Sequence, residues 1–295
     1  MIDRTMRAAA AHYWRLSNRN KINKNLLYRG ENGIRSVTFH DIPDHRFGKF
    51  KNIVNWCSSK FRMAAPSDAL QMLDGTLTSR AVEDSMLITF DDGHADNHRA
   101  AEWLNKVGIR ASFFIVPSFV DRSNLQYLEY HKSRNVCAYS LQARESLRES
   151  QGLSRLQILE MIDMGHHIGA HNYAHRDLAK LDNATDLDYE IQNSVDAVED
   201  MTGKPCRDFA VGFGQPDNLS DAALRYLLIK RYRTYMCFRG LNIPGISPRY
   251  FLRHGYIFEH PEVFTKLCLQ NGADHKIHHR QESFANRVGY MPSCA

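Results

Sequence analysis

The sequence predicts an α/β protein built on a parallel sheet that is closed or nearly closed. Three observations carry this expectation. Strand-like and helix-like stretches alternate along most of the chain. Residues 86–88 and 113–116 form unbroken apolar runs, as suits strands covered on both faces. With 295 residues, 43% of them hydrophobic and 24% charged, the chain can bury a full core, and no internal repeat or low-complexity linker divides it. The expected layout is a basic helical extension over residues 1–33, one domain over 34–271 and a tail over 272–295.

Residues 1–29 carry seven basic side chains and one acid. They predict a solvated, partly frayed surface helix, basic enough to leave room for weak contact with anionic lipid or an acidic partner. The apolar run there is only four alanines, and no stretch is long enough to span a bilayer, so the expectation is a cytoplasmic protein. Residues 33–40 (GIRSVTFH) read as the first strand, with Val37 and Phe39 alternating against Ser36 and Thr38. Residues 50–61 follow as a helix burying Ile53, Val54, Trp56 and Cys57. Pro66, Ser67 and Asp68 open another that runs to Leu73, where Asp74 and Gly75 break it.

Residues 85–90 are the next strand, followed by a helix over 100–107 that Gly108 closes. Residues 110–116 (RASFFIV) give the clearest buried strand, with Phe113 and Phe114 in the core and Pro117 at its end. Between 117 and 152 the pattern weakens to two polar, amphipathic helices, NLQYLEYHKSRN and LQARESLRES, read as an insertion on the rim. A helix over 153–164 leads to a short strand over 167–170. Leu187, Ile191, Val195 and Val198 then mark one face of a helix over 186–201, closed by Gly203 and Pro205. A strand over 208–214, a helix over 220–230, strands over 234–238 and 250–252 and a helix over 262–270 complete the order. The tail, with His275, His278 and His279, reads as a solvated extension. Six dispersed cysteines without a CxxC pair read as reduced, mostly buried thiols.

The chemistry concentrates where residues 85–90 end in Asp91, Asp92 and Gly93. Ligands bind where the strands of βα units end, so these carboxylates stand at the mouth of the fold. Two adjacent carboxylates resist simultaneous ionisation unless a cation or a proton lies between them. Further ligands come from GHHIGAHNYAH at residues 165–175, where His171 and His175, four apart, would share one face of a helical turn. With one aspartate they make a three-ligand site with room for water. Among fifteen histidines a pair at this spacing is weak evidence, and the aspartates give it weight. His166 and His167 read as structural, because alternation along a strand sends neighbours to opposite faces.

TFDDG at residues 89–93 followed by GHHIGAHNYAH resembles the first two motifs of the polysaccharide deacetylase family, also called the NodB-homology or carbohydrate esterase 4 family. The resemblance spans roughly residues 34–271 and implies an irregular (β/α) barrel of about seven parallel strands. It implies that Asp91 is the general base and that Asp92, His171 and His175 are the metal ligands. The metal implied is Zn²⁺, with Co²⁺, Ni²⁺ or Mn²⁺ able to substitute. Permuted members from surface-polysaccharide systems begin with a strand whose last histidine is the general acid, which points to His40. In unpermuted members the acid comes late in the chain, so His254 is the rival.

The family's third motif has an arginine and a proline before an aromatic and a glycine. Here Phe209 and Gly212 stand at the first two positions, and only Phe213 and Gly214 are kept. A backbone N–H of Phe213 would still serve an oxyanion. The implied reaction removes acetyl from an N-acetylated sugar of a glycan or glycan precursor by hydrolysis. A non-catalytic carbohydrate-binding relative and an amidohydrolase of a small non-sugar amide stay open as alternatives. The balance of 38 basic against 33 acidic residues, +5 overall, is too mild to argue for nucleic acid.

Overall fold

The computed structural model describes residues 4–77, 83–141, 150–245 and 250–289. Two helices, α1 (Arg4–Leu16) and α2 (Arg19–Tyr28), precede strand β1 (Ile34–Phe39). Helix α3 (Asp44–Lys60), the two-residue strand β2 (Arg62–Met63) and α4 (Pro66–Leu73) lead to β3 (Ser85–Phe90). Next come α5 (Asp96–Lys106), β4 (Ala111–Ile115), α6 (Asn124–Lys132), α7 (Arg155–Asp163) and β5 (His167–Ala170). A helical run follows as α8 (Ala184–Leu187), a π-helical segment (Asp188–Gln192) and α9 (Asn193–Thr202). The chain continues through β6 (Asp208–Ala210), α10 (Asp221–Ile229), β7 (Arg233–Met236), β8 (Tyr250–Leu252) and β9 (His254–Gly255). It closes with α11 (Glu262–Leu269) and α12 (His278–Gly289).

The fold is α/β with a parallel sheet of the (β/α)-barrel kind, as the sequence predicts. By its internal contacts the chain divides into two compact units. One holds residues 38–43 and 88–237, and in it the sheet runs β3, β4, β5, β6, β7, every neighbour parallel. Ile88 pairs with Ala111, Phe113 with Ile168, Ala170 with Phe209, and Phe209 with Thr234. The end of β1 joins this sheet where Asp91 N–H donates to the Phe39 carbonyl at 2.8 Å. Phe90 and Phe113 stack with centroids 4.4 Å apart, and Phe114 meets Tyr235 at 4.6 Å. Gly169 makes room for the Phe114 ring, since a Cβ there would stand 2.7 Å from it.

All six residues of β1 and of β3 are buried. The alternation in β1 therefore does not mark a wet face, because Ser36 and Thr38 are enclosed as well. Helix α3 begins six residues before the predicted start and α5 four residues before. The predicted helix LQARESLRES falls almost wholly outside the described residues.

The other unit comprises residues 1–37, 44–87 and 238–292. Within it α1 packs on α11, the Tyr28 hydroxyl donates to Asp274 at 2.7 Å, and the Asn23 amide donates to the Asn271 carbonyl at 2.7 Å. The basic N-terminus is thus two packed helices rather than one frayed helix. The tail is helical too, and α12 buries Gln281, Phe284 and Val288. Of the cysteines, Cys57, Cys137, Cys206, Cys237 and Cys268 are free thiols, and Cys294 lies outside the described residues. Among the described residues no helix is long and apolar enough to cross a membrane.

Candidate active site

Residues of the first unit that follow the C-terminal ends of five strands carry the chemistry. His40 follows β1, Asp91 and Asp92 follow β3, His171 follows β5, Phe213 comes three residues after β6, and Cys237 follows β7. With His175 these residues line one small cavity of about 60 Å³. This is the mouth that the strand-end rule predicts for a parallel sheet.

Ligating atoms of Asp92, His171 and His175 all lie within 4.8 Å of one another, and all three residues are buried. Oδ1 of Asp92 stands 3.3 Å from Nε2 of His171 and 3.5 Å from Nε2 of His175. No hydrogen bond satisfies that oxygen, nor Nδ1 of His175. Nδ1–H of His171 donates to the Ala210 carbonyl at 2.9 Å, which fixes the tautomer and turns the Nε2 lone pair toward Asp92. Two imidazole nitrogens and a carboxylate oxygen converging on one point suit a cation, and the mixed N/O donor set suits a divalent one.

The sequence profile named polysaccharide deacetylase matches residues 79–231, more than half of the chain. The chain belongs to the polysaccharide deacetylase family. Its reaction class is accordingly hydrolysis of N-acetyl amide bonds in carbohydrates. Solved structures share the fold. IcaB from Ammonifex degensii is 20% identical with a TM-score of 0.59, covering 82% of this chain and 98% of that one. A de-N-acetylase from Aggregatibacter actinomycetemcomitans is 15% identical with a TM-score of 0.60, covering 80% and 100%. The Streptococcus pyogenes deacetylase PplD, solved in complex with acetate, is 14% identical with a TM-score of 0.58, covering 80% and 98%. No curated protein matches.

In this polysaccharide deacetylase the spacing of the two histidines works differently from the helical turn predicted. Residues 171–177 form an irregular loop, and Asn172 (φ 46°) and His175 (φ 49°) are left-handed. Those reversals, not helical periodicity, bring the rings to 5.1 Å. Asp92 (φ 74°) and Phe213 (φ 61°) are left-handed as well, so four of the ten non-glycine residues with positive φ among those described sit at this site. Such conformations cost about 1–3 kcal/mol each and persist only where the surroundings impose them.

The surroundings can be named. His94, buried, places Nε2 3.4 Å from Oδ2 of Asp92 and Nδ1 2.7 Å from the Ser150 hydroxyl. Glu190, on the π-helical segment, accepts from the N–H groups of Ala174 and Arg176 at 3.1 and 3.3 Å and so brackets His175. Asn172 donates to the Arg176 carbonyl at 2.8 Å and accepts from Gly212 N–H at 3.0 Å. That last bond joins the histidine loop to the altered third motif. Phe209 is buried in β6, and a Cβ at Gly212 would press on the Asn172 amide at 3.2 Å. His166 is structural as predicted, accepting from Ala111 N–H at 3.1 Å and donating to the Ala101 carbonyl at 3.0 Å.

Burial works against the Asp92 carboxylate, yet His171, His94, His175 and His40 overcome it and hold its pKa well below the usual range. Burial lowers His175 to about 4, while the field of Asp91 and Asp92 outweighs burial at His171 and raises it. Burial pushes Glu190 up to about 7 in spite of its two backbone donors. His40 lines the cavity, and its carbonyl accepts from the Asn97 amide at 2.8 Å. His254 is not among the lining residues and belongs to the other unit, on β9, where burial, Arg239 and His260 lower its pKa to about 3. His94, Asn172, Glu190 and Cys237 are site residues that sequence reasoning missed. Of these only His94, beside the aspartate pair, carried a local signal.

Proposed function

We propose that this chain is a divalent-metal-dependent N-deacetylase acting on an N-acetylated sugar of a glycan or glycan precursor. The observation that carries the reading is the buried group of Asp92, His171 and His175, with Oδ1 of Asp92 unsatisfied, on the same small cavity as Asp91 and His40. These three side chains would hold the cation, and zinc matches their donor set best. Such an ion, when bound, supplies Lewis acidity toward an amide carbonyl and acidifies water.

The other steps belong to the chain. Asp91 accepts the proton of the water that attacks the acetyl carbonyl. The backbone N–H of Phe213 donates to the oxyanion as it forms. His40 protonates the departing amine, so the products are acetate and a free amino sugar. The acetyl group would be brought to the small cavity that these residues line.

The test is metal content beside acetate release from N-acetylated sugars, in the wild type and in Asp92→Ala. About one ion per chain, lost together with activity in the variant, is the expected result. Metal without acetate release would favour a binding protein or another amide, and absence of metal would refute the site.

A further inference from the structure

Helices α1, α2, α3 and α11, all in the unit of residues 1–37, 44–87 and 238–292, line a second and larger cavity of about 570 Å³. That volume falls in the range of about 300–1,000 Å³ in which small organic ligands are held. Its lining follows from helical spacing. Trp56 and Lys60 stand four apart on α3, and Lys266 and Gln270 stand four apart at the C-terminal end of α11, so each pair shares one face. Arg15 comes from the last turn of α1, and Asn18 and Asn20 from the start of α2. No lining residue is a carboxylate. All of them lie outside residues 79–231, the span that the family profile matches.

Arg15, Lys60 and Lys266 thus bring three cations to one cavity. Lys266 is paired with the half-exposed Glu262, and its Nζ stands 5.4 Å from the centre of the Trp56 ring. Arg15 and Lys60 are exposed and, among the described residues, have no carboxylate partner. Cations gathered without counterions repel one another, and an anion between them removes that cost. Helix α2 adds to the positive field. Its first turn holds no acid, and its N-cap, Asn18, is left-handed (φ 51°) and makes no side-chain capping bond. The positive end of the helix dipole therefore borders the cavity with no carboxylate to offset it. A planar guanidinium and two ammonium groups, spread over three helices, match the several oxygens of a phosphate or diphosphate better than those of one carboxylate. Trp56, held edge to face with Phe61 at 6.0 Å, gives the organic part of such a ligand an aromatic wall.

We propose that this cavity binds an organic phosphate carrying at least two negative charges, the chemistry shared by a nucleoside diphosphate and by the headgroup of phosphatidic acid. Arg15, Lys60 and Lys266 hold the phosphate oxygens, and the start of α2 adds its dipole. The site stands apart from the deacetylase reading, since none of its residues lines the strand-end cavity.

The experiment titrates the full chain with inorganic pyrophosphate at low salt, by calorimetry. Binding in the micromolar range is expected for the wild type and should weaken about tenfold or more when Arg15→Ala and Lys60→Ala are combined. It should persist when Lys204→Ala and Lys230→Ala are combined, which removes the same charge from exposed positions of the other unit. Asp92→Ala should bind as the wild type does, which separates this cavity from an anion held by a metal. No binding up to about 1 mM pyrophosphate, equal weakening in the two double variants, or a loss confined to Asp92→Ala would overturn the proposal. Competition then assigns the source. Displacement of pyrophosphate by ADP supports a soluble organic phosphate. Displacement by vesicles of phosphatidylcholine with phosphatidic acid, and not by phosphatidylcholine alone, supports a lipid headgroup. Displacement by neither would overturn the assignment to an organic phosphate.

Discussion

Replacing Glu190 by glutamine should change how stability depends on pH. Glu190 is fully buried, and its carboxyl is pushed from an ordinary 4.5 up to about 7, chiefly by burial. The folded chain therefore holds this proton more tightly than the unfolded chain does. Its contribution to stability is complete below about pH 4.5, declines as pH rises toward 7, and is flat beyond. The full displacement corresponds to about 3 kcal/mol, of which roughly 2 to 3 kcal/mol falls between pH 5 and pH 8. Glutamine keeps an acceptor for the N–H groups of Ala174 and Arg176 and never ionises. Urea unfolding of both proteins at pH 5 and pH 8, at matched metal content, measures the difference. The variant should gain on the wild type by that 2 to 3 kcal/mol at the higher pH. Parallel pH profiles for the two proteins would refute the reasoning, because every other titrating group cancels in the comparison.

His40→Ala should retain the bound metal and lose roughly 10²- to 10⁴-fold in turnover, the usual contribution of a positioned acid. Steady-state acetate release beside metal analysis checks this, and unchanged turnover would return the role to another group such as His254. His94→Ala should weaken metal binding by roughly 10- to 100-fold, the usual effect of losing a group that orients a ligand. Titration against a chromophoric chelator measures it, and His94→Gln should recover part of the loss, since an amide N–H can still reach Oδ2 of Asp92. Equal affinities in wild type and His94→Ala would remove His94 from the support of the site.

Contiguous features were legible in the sequence. The aspartate pair and the histidine pair each lie within a few residues, and the burial of β3 and β4 follows from their own composition. Arrangements that depend on distant partners were not. His94 acquires its orientation from Ser150, 56 residues later, and α1 is stable against α11, some 250 residues downstream. Four-residue spacing predicted a helical turn for His171 and His175 because periodicity carries no information about left-handed residues, which tertiary contacts impose. Glu190 read as one more position in an amphipathic helix, and the π-helical segment that turns it toward the histidine loop leaves no composition signal. The third motif looked merely degraded, whereas the small residue at Gly212 gives Asn172 the space to bridge the two loops.

Asp92, Asn172, His175 and Phe213 together hold about 4–12 kcal/mol of unfavourable backbone conformation, comparable with the net stability of a whole domain. The segments bearing these residues could not keep their shape if excised or grafted onto a scaffold that lacked Glu190, Gly212 and Ser150. Transplanting the two motifs alone would give peptides that relax and scatter their ligands. The heritable unit of this active site is accordingly the sheet with its bracing residues, and any redesign of its selectivity has to start from positions that carry none of that tension.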